Sequence, residues 1–243
     1  MATVREVGLM SRLVVFDIDG TLTDTNDVDD DCFRRAVADI FALVNTSVDW
    51  SDAPHITDSA LARWLCQTHC RRDASEAELA RLTAHFVGLL RLELARVPAR
   101  FLATSGAQGL FAYLRAAGWG VALATGGWFP SAVLKLRAAG LHDSEIVVAS
   151  ASDAQSRPEI VALARQRAAE RYGQDFDRVV SVGDAPWDVR TAAELGYGFI
   201  GVGPRATSLR AAGATSVLSD FGDRGAFLRA LETADVPARL PAA

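Results

Sequence analysis

The chain is predicted to be an α/β protein, a parallel sheet wrapped by helices with an all-helical domain inserted after its first strand. Short apolar runs at 13–16, 121–124 and 179–182 each end in small, hydroxylated or acidic residues, as strands do when they deliver polar loops to one edge of a sheet. From residue 106 onward, strand-like runs alternate with helical patterns, the signature of parallel strands joined by helices. Between 28 and 97 the strand pattern stops and only helical periodicity remains.

Taken in order, residues 13–16 form the first strand and deliver Asp17 and Asp19 into a Gly20-Thr21 turn. Two residues apart in an extended segment, both carboxylates face the same side. At about 4 Å and an effective dielectric near 20 they repel by about 4 kcal/mol, so such a pair is held by a cation or shares a proton. In the insertion, Phe33, Val37, Ile40, Phe41 and Val44 recur at helical spacing, a second helix runs from about Thr57 to Cys70, and Ser75 with Glu78 gives a capping box for a third. Leu79, Leu82, Phe86, Leu89, Leu90 and Leu94 line one side of that helix, and Pro98 marks the return to the sheet domain.

Helices near 106–117, 129–139, 158–172 and 186–195 then separate strands near 120–124, 145–149, 178–183 and 198–202. Gly118, Gly140 and Gly196 stand where three of these helices should end. A strand near 215–218 and a helix near 223–231 close the domain. The expected organisation is a core of residues 10–23 and 99–235, a helical domain at 24–98 and a loose tail at 236–243.

Composition narrows the function. At 243 residues, half of them hydrophobic, the chain can bury one large core or one core plus a smaller domain. A net charge of -5 and the lack of an arginine-rich run give no reason to expect nucleic acid, and phosphate binding by an acidic chain must depend on local cations. No apolar stretch approaches the roughly 20 residues of a membrane span, and the first residues lack a signal-peptide core, so a cytoplasmic location away from membranes is expected. Cys32, Cys66 and Cys70 form an odd set that reads as reduced thiols. Cys66, His69 and Cys70 share one helical turn, but structural zinc draws its ligands from separated pairs, so these read as packing residues.

Two further strand ends carry chemistry. Thr125 followed by Gly126 and Gly127 leaves a hydroxyl and exposed backbone N–H groups for an anion, and Asp184 with Asp188 supplies a third acidic group. Beyond the carboxyl ends of parallel strands, the three loops converge on one site.

The segment Asp17-Ile18-Asp19-Gly20-Thr21-Leu22-Thr23-Asp24 resembles the first motif of the haloacid dehalogenase superfamily of hydrolases, Thr125 its second, and Gly183-Asp184 with Asp188 its fourth. Where that family carries a lysine or arginine before the helix preceding the fourth motif, Arg157 of Ser156-Arg157-Pro158-Glu159 stands here. Lys135, the only lysine, lies inside the helix after Thr125 and is a poor alternative. The resemblance implies a Rossmann-like core with an all-α cap domain of the first cap class, hinged near 22–27 and 97–105. It also implies Asp17 as nucleophile, Asp19 as general acid and base, and Thr125, Gly126 and Arg157 as phosphate ligands. Mg2+ would be held by Asp17, the Asp19 backbone carbonyl and Asp184, with Asp188 acting through water or as an orienter.

The implied substrate is a small phosphorylated metabolite, hydrolysed through an aspartyl-phosphate, and in layout the chain looks most like phosphoglycolate phosphatases. The family places a specificity loop where residues 53–59 lie, making His55, Thr57 and Asp58 candidates for the leaving group, with helix capping the competing role of Thr57 or Asp58. Trp128 either lines the entrance or packs beside Pro130, and His85 reads as structural. Aspartates at 24, 27, 29, 30 and 31 suit a helix N-terminus, with a second metal site the other reading.

Asp19 argues against dehalogenation, where the family uses no aspartate, and a phosphonate-cleaving enzyme would need a cap lysine that residues 24–100 lack. A sugar-phosphate mutase shares the Asp17 and Asp19 pair and is the main alternative. A non-catalytic binding protein is a distant third, because every required acid is present. The expected state is monomer or homodimer.

Overall fold

The computed structural model describes residues 11–43 and 49–239; Val44, expected on the first helix, lies outside them. Six parallel strands, β1 (Arg12–Phe16), β2 (Trp119–Ala124), β3 (Val147–Ala149), β4 (Arg178–Gly183), β5 (Gly198–Val202) and β6 (Ser216–Leu218), are ordered β3-β2-β1-β4-β5-β6. The chain therefore reverses direction across the sheet at β1, and the crevice beyond the carboxyl ends at such a switch point is where ligands bind.

The two-residue period of the strands divides their side chains between two apolar layers. Val14, Phe16, Val121, Leu123, Val180 and Val182 face one layer, and Leu13, Val15, Ala122, Ala124 and Val179 face the other. The first is covered by α4 (Leu110–Ala116), α5 (Phe129–Ala138) and α9 (Arg224–Thr233), where Phe16 meets Phe111, Phe221 and Phe227 at 5.9–6.0 Å between ring centroids. The second is covered by α6 (Arg157–Tyr172). Beside it, α7 (Pro186–Leu195) packs Val189 and Ala192 against Phe199 of β5.

The insertion contributes α1 (Asn26–Phe41), a 3-10 turn at Trp50–Asp52, α2 (Asp58–Cys70) and α3 (Glu76–Arg96), and a second 3-10 turn follows at Pro98–Phe101. Phe33, Val37, Leu65, Leu82, Phe86 and Leu90 form an apolar cluster that Trp128 and Ala151 of the sheet domain also join. Ser75 and Glu78 make the expected capping box; Leu94 is only partly buried. Trp128 is a packing residue, 4% exposed, with its ring 5.8 Å from Phe33 and 5.9 Å from Phe86. The two chain crossings between sheet domain and insert are bonded to each other: Asp24 N–H donates to Leu102 O and Thr104 N–H to Leu22 O, both at 2.9 Å, flanking an antiparallel Thr23–Ala103 bridge.

Three details differ from the sequence reading. α4 starts at Leu110, because residues 104–109 form turns with Gly106 and Gly109 at φ 77° and 72°. β3 starts at Val147, because Ile146 N–H closes a turn onto Asp143 O. A further helix, α8 (Ala206–Ala211), anchors through Leu209 alone and is too short to show a period. Gly118, Gly140 and Gly196 end their helices in the left-handed region, as expected.

The cysteines are free thiols, and His85 makes a surface contact with Asp39 at 2.7 Å. Three of the five clustered aspartates have side-chain partners: Asp29 with Lys135, Asp30 with Arg34 and Trp50, Asp31 with Arg100. No described helix is long and apolar enough to cross a membrane.

Candidate active site

Asp17 is the first residue beyond β1, fixed by its N–H donating to Val182 O of β4 at 2.9 Å. The turn after it needs Gly20, at φ 77°, because a Cβ there would run into the side chains of Asp184 and Asn26. Asp184 follows β4 directly, and Asp188 sits in the first turn of α7, where its Oδ2 accepts the Ala185 N–H. Ligand oxygens of Asp17, Asp184 and Asp188 all lie within 4.8 Å of one another, and all three residues are buried.

Such proximity is costly. Burial first, and then Asp188, hold the Asp17 carboxyl well above its ordinary range against the pull of Arg157. Burial and Asp188 push Asp184 to about 6, and burial raises Asp188 although Arg157 opposes it. Arg157 Nη1 donates to Asp188 Oδ1 at 2.8 Å and to Asp17 Oδ1 at 3.2 Å, and among the described residues only Arg205, on Asp184, adds a second cation against the three acids. A buried, oxygen-only triad with uncompensated negative charge fits a hard divalent cation. The Asp19 side chain is not part of that triad: Oδ1 accepts from Thr25 Oγ1 at 2.5 Å and Oδ2 from Lys135 Nζ at 2.7 Å. Its expected metal contact is through the backbone carbonyl.

Thr125 ends β2 and is 2% exposed, and its Oγ1 accepts the Gly127 N–H at 3.0 Å. The Gly126 N–H donates to no group among the described residues and is left for an anion. Gly126 is also required by space, since a Cβ would stand 2.8 Å from Arg157 Nη2 and 2.9 Å from Ile56 O. Asp17, Asp19, Thr125, Gly126, Arg157 and Asp184 line one cavity of about 270 Å³, whose opposite wall comes from the insert, with Phe33, Trp50, Leu61 and the carboxylates Asp27, Asp29, Asp30 and Asp58.

The 56–59 segment docks on the sheet domain. Arg157 Nε donates to Ile56 O, Thr57 Oγ1 to Gln155 O and Ser59 Oγ to Ala151 O, while Asp58 accepts the Trp128 N–H at 2.8 Å. Thr57 also caps α2, so Thr57 and Asp58 reach the cavity wall as anchors of the insert. His55 does not reach it; it lines a separate groove with Asp153 and Glu159, while Ile56 and Thr57 line the cavity.

Sequence reasoning missed Asn26 and Arg205, which donate to Asp184 Oδ2 at 2.9 and 3.0 Å. Arg205 comes from the loop after β5, and the rule that loops at the carboxyl edge converge could have found it. It also undervalued Lys135. That residue shares its helix face with Ala132 and Leu136, and a lysine so placed needs a carboxylate partner.

Several solved structures share this fold. One is a hydrolase from Pseudomonas syringae, with TM-score 0.69 at 22% identity over 92% of this chain and all of that one. Another is a beta-phosphoglucomutase from Clostridium difficile, with TM-score 0.67 at 16% identity over 91% and 97%. A third, described as a predicted phosphoglycolate phosphatase from Haemophilus somnus, gives 0.60 at 16% identity over 90% and 98%. No protein of curated function matches the sequence. A sequence model of haloacid dehalogenase-like hydrolases matches residues 11–196, a span that holds every motif acid as well as Thr125 and Arg157, and the chain belongs to that family.

Proposed function

We propose that the protein is a Mg2+-dependent hydrolase of small phosphomonoesters working through an aspartyl-phosphate on Asp17. The observation that carries this is the meeting of Asp17, Asp184 and Asp188 within 4.8 Å, with Arg157 between them and the Gly126 N–H open beside them. Asp17, Asp184 and Asp188, with the Asp19 carbonyl, would hold Mg2+, which when bound neutralises the acids and the substrate phosphate. An Asp17 carboxylate oxygen attacks phosphorus while Asp19 gives its proton to the departing ester oxygen. Thr125, the Gly126 N–H and Arg157 face the phosphoryl oxygens on which negative charge gathers. Asp19 then takes a proton from the water that attacks the aspartyl-phosphate. The insert acts as the cap that excludes bulk water.

Hydrolysis is favoured over mutase chemistry by the insert wall. A mutase must hold a second phosphate there, yet that wall offers Asp27, Asp58 and the already paired Asp29 and Asp30, with no lysine or arginine among its lining residues. The same wall disfavours a carboxylate or second phosphate on the leaving group, so esters of uncharged or cationic alcohols should outrank phosphoglycolate and bisphosphates. Mg2+-dependent phosphate release across a panel of such esters tests both points, with hexose 1-phosphate included. Conversion of that sugar phosphate to its 6-phosphate without phosphate release would hand the chain to the mutases.

Arg157→Ala is expected to lower kcat/KM by about 10²–10³-fold, the usual effect of deleting a group that meets developing charge. An unchanged kcat/KM would move the phosphate site elsewhere.

A further inference from the structure

Lys135 is fully buried on α5, the helix that begins directly after the Thr125–Gly127 loop, and its Nζ bridges Asp19 Oδ2 at 2.7 Å and Asp29 Oδ1 at 2.6 Å. Burial alone would lower its pKa, but Asp19 and Asp29 outweigh that and keep the ammonium charged. A buried lysine is rarely kept for stability, since an apolar side chain in its place is often as good. Its geometry has a sharper use. The two oxygens of Asp19 are held from opposite sides, Oδ2 by Lys135 on the sheet domain and Oδ1 by Thr25 where the chain enters the insert.

We propose that Lys135 is a positioning residue that fixes the Asp19 carboxyl so that Oδ1, once released by Thr25, meets the leaving oxygen. The inference rests on the reading of Asp19 as general acid and base. In the first step the Asp19 Oδ1 proton passes to the ester oxygen as its bond to phosphorus breaks and the bonding pair stays on that oxygen. In the second step Oδ1 takes a proton from water as the water oxygen bonds to phosphorus and the Asp17–phosphorus bond breaks. In both, Lys135 keeps Oδ2 and touches no substrate atom.

The test uses two substrates of different leaving group. p-Nitrophenyl phosphate departs as a stable phenolate and needs little protonation, whereas glycerol 2-phosphate must be protonated as it leaves. Asp19→Ala should therefore lower kcat far more on glycerol 2-phosphate than on the aryl ester. Lys135→Met should lower kcat about 10²-fold on glycerol 2-phosphate and less than about tenfold on the aryl ester, with KM little changed, because general-acid assistance is at stake. The double variant should show no larger ratio than Asp19→Ala alone, since both act through one carboxyl. If Lys135→Met does not fold, Lys135→Gln, which keeps N–H donors on a shorter side chain, should show the same bias against glycerol 2-phosphate in smaller measure. Equal losses on the two substrates would reduce Lys135 to a structural ion pair. A ratio that fails to move even in Asp19→Ala would instead overturn the role of Asp19 itself.

Discussion

Asp17→Asn is expected to lower kcat by about 10⁴-fold or more while raising the melting temperature in metal-free buffer. The loss follows from covalent catalysis: an amide oxygen at that position neither attacks phosphorus nor leaves as a carboxylate, and deletion of a nucleophile removes nearly all that its partners contribute. The gain in stability follows from geometry. Asp17 is 7% exposed and held well above its ordinary pKa by burial and by Asp188, so its charge opposes folding. Asparagine keeps the shape without the charge, and Arg157 retains Asp188 at 2.8 Å. Each 1 kcal/mol relieved should appear as roughly 2–4 °C for a chain of this size. Phosphate release and a thermal melt of the same preparation read both halves. Retained turnover would remove Asp17 as nucleophile.

The second large effect is a stability profile that runs against the usual carboxylate rule until metal is added. Asp184 and Asp29 are raised from 3.8 to about 6, and Asp17, Asp58 and Asp188 are raised as well, in each case first by burial. Each of these groups binds its proton more tightly folded than unfolded. Between the unfolded value near 4 and the folded value near 6 the native state therefore holds more protons, and stability falls as pH rises through that window. The acids with lowered values, Glu78, Glu93, Glu159 and Asp153, change stability in the opposite sense as pH falls below their ordinary values of 4.5 and 3.8, and so touch only the acid end of the window. The metal-free protein should melt higher at pH 5 than at pH 7.

Mg2+ should reverse that trend, because it binds the ionised triad and competes with protons for it. At a hundredfold excess over Kd the linkage is about 2.7 kcal/mol, or roughly 5–10 °C at neutral pH. Asp184→Ala should remove most of that shift. Melts from pH 5 to 7.5 in EDTA and in Mg2+ provide the check, and a profile that rises with pH and ignores Mg2+ would dissociate the triad from metal binding.

Much of this site was legible because each motif is local. Asp17 and Asp19, Thr125 and Gly126, and Asp184 and Asp188 each stand at the end of an apolar run that identifies itself as a strand, and parallel strands bring their ends together. The groups that tune those acids were not legible for the complementary reason. Asn26 meets Asp184 across 158 positions of sequence, and Lys135 meets Asp19 across 116, so neither pairing leaves a spacing to read. Lys135 lies inside the helix after Thr125, away from the position where the family carries its cation, and only its phase on the apolar face of α5 tells of a buried role. The 53–59 segment shows a third limit. Its position beside the cavity could be expected, but Thr57 is anchored by a bond to Gln155, 98 residues away, and His55 lines a different groove, neither of which leaves a spacing to read.

The paired crossings at residues 22–24 and 102–104 also decide how the insert can travel. Two separate tethers would let it tumble and slide, but strands laced by the Asp24–Leu102 and Thr104–Leu22 bonds behave as one strap. A strap of this kind resists stretching and shear and yields to rotation about its width, so it confines any movement of the insert to rotation about that one line. Because Thr25 and Asn26 follow the strap immediately, any such rotation would pull first on the groups that touch Asp19 and Asp184.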